Sequence, residues 1–231
     1  MNIEFYKNTV FLTGVICSDV EFTHEPWKFP CATFYLDTYV RKSTRMAEGF
    51  PIRCRAYGEL AEFFRGKANC EVSVEGELKD VSFSYGTHRW NETYVLVKDG
   101  GCGIDKNYIH AVGNEIICIG RVCTYDSVDP GGLARFSLLG RDEYGDSRGT
   151  YCRTGKRLTE EECELLSRPM SLYVTGHLRP LADINWKKED DKSIVRKCND
   201  FVVVTERIRP LLMKDLEREH VVPILTGYEN E

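Results

Sequence analysis

The chain has 231 residues, 42% of them hydrophobic and 29% charged, which is enough to bury a core in one or two domains and excludes a disordered or collagen-like chain. No apolar run reaches the ~18 residues of a membrane-spanning helix, and Met1–Lys7 carries neither the basic nor the apolar region of a secretory signal, so the chain is expected in the cytoplasm, without a membrane partner. The net charge of −5 disfavours a general nucleic-acid binder. The charge is uneven, however. Between Tyr39 and Tyr57 five bases (Arg41, Lys42, Arg45, Arg53, Arg55) stand against one acid, Glu48, whereas from Leu211 to the end two bases stand against five acids.

In chain order, Asn2–Tyr6 alternates apolar and polar residues. It reads as a strand, either an edge that pairs with another copy or one folded back on its own domain. Asn8–Val15, Ala32–Leu36, Ile52–Tyr57, Val72–Leu78 and Thr93–Val97 are short runs rich in β-branched and aromatic residues, with the period of two that marks half-buried strands. Period two sets Phe34 in the core, and Phe63 is assigned there as well. A helical stretch, Gly58–Phe64, precedes Gly66. Lys98–Asp105 holds three glycines in four residues and reads as a linker.

The pattern then repeats. Asn114–Val122, Ala134–Leu138, Leu172–Leu178 and Phe201–Thr205 answer the first set of strands. Gly14 and Gly120 are 106 residues apart, Ala32 and Ala134 102, Gly76 and Gly176 100. The second helix has a capping box, Thr159 with Glu162. Strands on both sides of one helix, with a glycine bending a long first strand, match the OB pattern. The fold class is therefore all-β with minor helices: tandem OB-fold, five-stranded Greek-key barrels. The expected boundaries are 1–98 for the first domain, 99–113 for the linker, 114–210 for the second domain and 211–231 for an acidic tail, part of which can form a short helix against the second barrel.

Ten cysteines form no Cys-x-x-Cys pair and read as reduced structural thiols; no metal is expected. The five histidines are scattered, and no phosphate-cradling glycine loop is present. No catalytic residue and no cofactor are therefore expected.

Asn8–Gly14, Ala32–Phe34, Ile52–Glu62 and Val72–Leu78 resemble bacterial single-stranded DNA-binding proteins over about 90 residues. The second unit keeps the first strand, the Ala-x-Phe strand and Val174–Leu178. Together the two resemble members of that family with two OB domains per chain. The resemblance implies single-stranded DNA as partner in replication, recombination or repair, with replication or repair proteins as further partners. It also implies a homodimer that brings four barrels together. The chain ends Thr226–Glu231, acidic but without the family's terminal Pro-Phe.

Single strands are held by basic grooves and stacking aromatics. The first unit offers Arg41, Lys42, Arg45, Arg53, Arg55, Tyr57, Phe83, Tyr85, Arg89 and Trp90; the second offers Arg135, Arg153 and Trp186, with Arg141, Arg148 and Tyr151 nearby. Arg53, Arg55 and Tyr57 are two apart and share a strand face, leaving Ile52, Cys54 and Ala56 for the core. The resemblance places base-stacking aromatics at Tyr57 and Phe83. A tandem-OB scaffold that binds proteins is the alternative that the acidic balance favours.

Overall fold

The computed structural model describes residues 5–24, 29–43, 46–85, 88–102, 113–126, 133–180 and 201–218. Its first copy of the repeat runs β1 (Lys7–Ile16), β2 (Glu21–Thr23), β3 (Cys31–Ser43), β4 (Met46–Tyr57), α1 (Glu59–Phe64), β5 (Glu71–Tyr85) and β6 (His88–Cys102). Its second runs β7 (Asn114–Asp126), β8 (Arg135–Arg141), β9 (Ser147–Thr154), α2 (Glu160–Ser167), β10 (Ser171–Pro180), β11 (Phe201–Pro210) and α3 (Met213–Arg218). None of the described helices is long and apolar enough to cross a membrane.

Each copy closes into a five-stranded ring. In the first, β1 pairs with β5 and β3, β5 with β6, β6 with β4, and β4 with β3. In the second, β7 pairs with β10 and β8, and β9 lies between β8 and β11. One parallel contact occurs at the same place in each ring, β4 with β6 and β9 with β11. These are the expected OB barrels. Closure leaves no sheet edge in the ring itself.

The repeated glycines have a packing cause. A Cβ on Gly14 would run into the Asp37 carbonyl, one on Gly76 into the Leu96 carbonyl, and one on Gly176 into the Val204 carbonyl. Gly76 also sits beside a bulge in the β5–β6 ladder. A neighbouring strand's carbonyl comes so close at these points that only a residue without a side chain fits.

Inside the first barrel Leu12, Phe34, Leu36 and Ile52 are fully buried, and α1 covers one end. Phe64 is the helix's core residue, with its ring centroid 4.7 Å from that of Phe34. Phe63, expected in the core, is half-buried and meets Phe64 edge-on. In the second barrel Ile116, Ile119, Phe136, Leu138 and Leu172 fill the interior and α2 contributes Leu166. The Thr159–Glu162 capping box forms as expected. The nine described cysteines are free, with Cys54, Cys118 and Cys152 in the cores.

Two segments differ from the sequence reading. Asp99–Cys102, read as the start of a linker, completes β6 against β5. Gly100 is there because the Phe64 ring lies where its side chain would be. Residues 103–112 lie outside the described residues. The chain forms two compact units, one of 9–115 with 178–201, the other of 1–8 with 116–177 and 202–231. Phe5 bridges to Arg141, and the Tyr6 amide donates to the Arg141 carbonyl at 2.8 Å. Phe5 and Tyr6 are thus part of the second barrel's unit. In that same unit, α3 sets Leu216 against Phe5 and Leu211, and Arg209 forks onto the Asp215 carboxylate.

Candidate nucleic-acid interface

Along β4 the period of two holds: Ile52, Cys54 and Ala56 are fully buried, while Tyr57 is 44% exposed. The register sets Tyr35 opposite Arg53, Thr33 opposite Arg55 and Cys31 opposite Tyr57. On the other side β6 runs parallel, with Arg55 opposite Leu96, so Tyr94 and Glu92 follow on the same face.

That placement changes the character of the arginines. Glu92 forms ion pairs with both Arg53 and Arg55. Arg55 also reaches Thr33 Oγ1 at 3.4 Å and holds its guanidinium 4.4 Å over the Tyr94 ring. Arg53 is only 8% exposed, and its Nε has no hydrogen-bond partner among the described residues. Burial lowers the Arg53 pKa; Tyr35 and Glu21 oppose that, and Arg55 reinforces it. Burial, with Cys31 and Tyr94 nearby, raises the Tyr57 phenol pKa. The expected open basic strand is therefore corrected. Its two arginines are folded over a carboxylate that only the β4–β6 pairing brings to them. Elsewhere in the same unit Glu77 is shared by Lys79 at 2.5 Å and Lys98 at 4.0 Å.

The second barrel presents a different face. On β8, Arg135, Leu139 and Arg141 are exposed, Ser137 is half-buried, and Phe136 and Leu138 point inward. On β9, Ser147, Gly149, Tyr151 and Arg153 are exposed on the matching side. The register sets Arg135 directly opposite Arg153, Ser137 opposite Tyr151, and Leu139 opposite both Gly149 and Arg121 of β7. Among the described residues, Arg121, Arg135 and Arg153 have no carboxylate partner. Leu139 and Tyr151 are 42% and 40% exposed. Arg148, by contrast, is held by Asp142 and Asp146 at 2.9 and 3.2 Å. An open pocket of about 530 Å³ is lined by Arg121, Leu139, Arg141, Arg148 and Pro169 among others.

The two barrels correspond in detail here. Cys54 pairs with Val95 as Cys152 pairs with Val203, so Arg55 and Arg153 hold the same place. Arg55 faces Thr33, whereas Arg153 faces a second arginine. Like charges directly opposite on adjacent strands destabilise a sheet. An anion lying across the pair removes that cost. The sequence signal for this face is the alternation Arg135-x-Ser137-x-Leu139-x-Arg141 with Tyr151-x-Arg153.

Of the other expected site residues, Arg41 and Lys42 are in β3, Phe83 and Tyr85 in β5, and Arg89 and Trp90 in β6. The backbone register puts Phe83 opposite Trp90 and Ser84 opposite Arg89. Their side chains, and Arg45 and Trp186 altogether, lie outside the described residues.

Two closed OB barrels in one chain define the class of fold. Among solved structures, the wild-type single-stranded DNA binding protein from Thermus aquaticus is similar to it with a TM-score of 0.65 and 16% identity, over 90% of this chain and 94% of that one. A deletion mutant of the same protein is similar with a TM-score of 0.64 and 16% identity, over 90% and 95%. The likeness is one of fold. No family model and no curated protein matches the sequence.

Proposed function

We propose that the protein binds single-stranded DNA without catalysis, holding phosphates with arginine and stacking bases on exposed aromatics, in replication, recombination or repair in the cytoplasm. The observation that carries this reading is the Arg135–Arg153 cross-strand pair. It has no carboxylate partner among the described residues and lies beside the exposed Tyr151 on an OB barrel. Tyr57 is the corresponding exposed aromatic of the first barrel. The fold shared with the Thermus protein supports the reading.

The test is fluorescence anisotropy of labelled oligo-dT, set against a duplex of equal length, over a salt series. Single-strand binding should be tighter than duplex binding and should weaken as salt rises. Tyr57→Ala should cost ~1–3 kcal/mol, the range for one stacked base. No binding of oligo-dT at low salt would overturn the reading and leave a protein-binding tandem barrel in its place.

With two barrels per chain, a homodimer supplies four, and the proposed assembly is that dimer. Sedimentation equilibrium should give twice 26.5 kDa at micromolar protein; the mass of one chain across the range rejects it. Replication or repair proteins are the partners that fit this role.

A further inference from the structure

We propose that Glu92 is an intramolecular stand-in for a DNA phosphate, occupying the Arg53–Arg55 pair and withholding it from the bound strand. The inference rests on the DNA-binding reading above and adds to it a residue that sets how much of the first barrel takes part.

The chemistry is that of competing anions. A carboxylate and a phosphodiester both offer a guanidinium two acceptor oxygens, and arginine accepts either. Glu92 receives both arginines, Arg53 on Oε1 and Arg55 on both oxygens. The cluster is shielded but not sealed: the Arg53 and Glu92 side chains are 10% and 14% exposed, and that of Arg55 16%. The Glu21 charge also acts on Arg53, and Arg53 Nε is a buried donor with no partner among the described residues. Stability alone gives little reason for such an arrangement, since buried ion pairs are often matched or bettered by apolar side chains of similar volume. Tyr57, 44% exposed, adjoins the arginines on the same strand face and offers a base its platform. In the second barrel the corresponding Arg153 has no carboxylate partner among the described residues. A strand would meet an open face there and a self-occupied face in the first barrel.

The experiment compares oligo-dT binding over a salt series for the full chain and three variants. Glu92→Gln removes the competitor and frees both arginines. The double variant Arg53→Met with Glu92→Gln frees Arg55 alone and leaves the net charge unchanged. Glu71→Gln, an exposed strand residue outside the cluster, reproduces the charge change of the first variant. Freed arginines should steepen the slope of log K against log salt by about 0.7 per phosphate contact. Glu92→Gln should therefore gain about 0.7 to 1.4 and bind about tenfold tighter at low salt, and the charge-neutral double variant should gain about 0.7. Glu71→Gln should keep the parental slope. If Glu92→Gln fails to fold, with two arginines left over one vacated acceptor, the double variant decides, because its partner charge is removed as well. Parental slopes in both Glu92 variants, with the parent binding normally, overturn the proposal and leave the DNA-binding reading intact. Absence of oligo-dT binding by every protein, parent included, overturns the reading and the proposal together.

Discussion

Replacing Tyr6 with Ala should destabilise the second barrel by roughly 3–5 kcal/mol, the range for removing a large buried ring. Tyr6 lies before the first barrel's strands in sequence, yet it is 6% exposed within the second barrel's unit. A Cβ on Gly120 would meet Leu138 Cβ at 3.0 Å, and the Leu139 carbonyl and the Tyr6 ring at 3.3 Å each, so the ring is one of three neighbours that crowd this point of β7. The phenol accepts from Asn8 Nδ2 at 3.1 Å and also bonds Thr150. Burial, with Cys118 adding to it, drives the phenol pKa well above its ordinary value, the mark of a hydroxyl withdrawn from water. Tyr6→Phe keeps the ring and strands the two hydrogen-bonding partners, so it should cost about 1–3 kcal/mol. Urea unfolding gives the size of each loss. Native-state hydrogen exchange gives its location: β8 amides near Arg141 should lose protection while β3 and β4 amides in the first unit keep theirs. Uniform loss over both units would mean that the N-terminal segment does not act on the second barrel alone.

That segment shows where reading the sequence runs out. Its alternation was visible and a strand was expected, but the choice of partner is a long-range event. Arg141, which it joins, lies more than 130 residues away in sequence. The barrels themselves were legible because each local signal agreed with the next: period two along β3 and β4, the capping box at Thr159, and glycines repeated where a neighbouring backbone comes close. Gly100 misled because glycine carries two meanings, a flexible joint or a close approach; under Phe64 it is the second. The face of Arg53, Arg55 and Tyr57 was likewise legible from spacing. Glu92 was not, since its place depends on parallel pairing between strands nearly forty residues apart.

Removing Arg135 and Arg153 together should weaken oligo-dT binding roughly a hundredfold or more, taking two charge-assisted phosphate contacts at ~1.5–3 kcal/mol each. The salt slope should flatten by about 1.4, twice the single-strand value per contact. The fold should respond in the opposite direction. The two guanidinium groups face each other across the β8–β9 ladder without a carboxylate among the described residues, so their loss relieves repulsion of about 0.2–1 kcal/mol. Weaker binding with equal or greater resistance to urea is what a site kept for its ligand gives. A structural pair gives the reverse, because breaking it unfolds the barrel and binding falls only as the folded fraction falls. Tyr151→Ala completes the comparison. It should lose ~1–3 kcal/mol of binding at every salt concentration with the slope unchanged, since stacking releases no counterions. If the double arginine variant binds oligo-dT with the parent's affinity and slope, the second barrel's face is not where the strand lies.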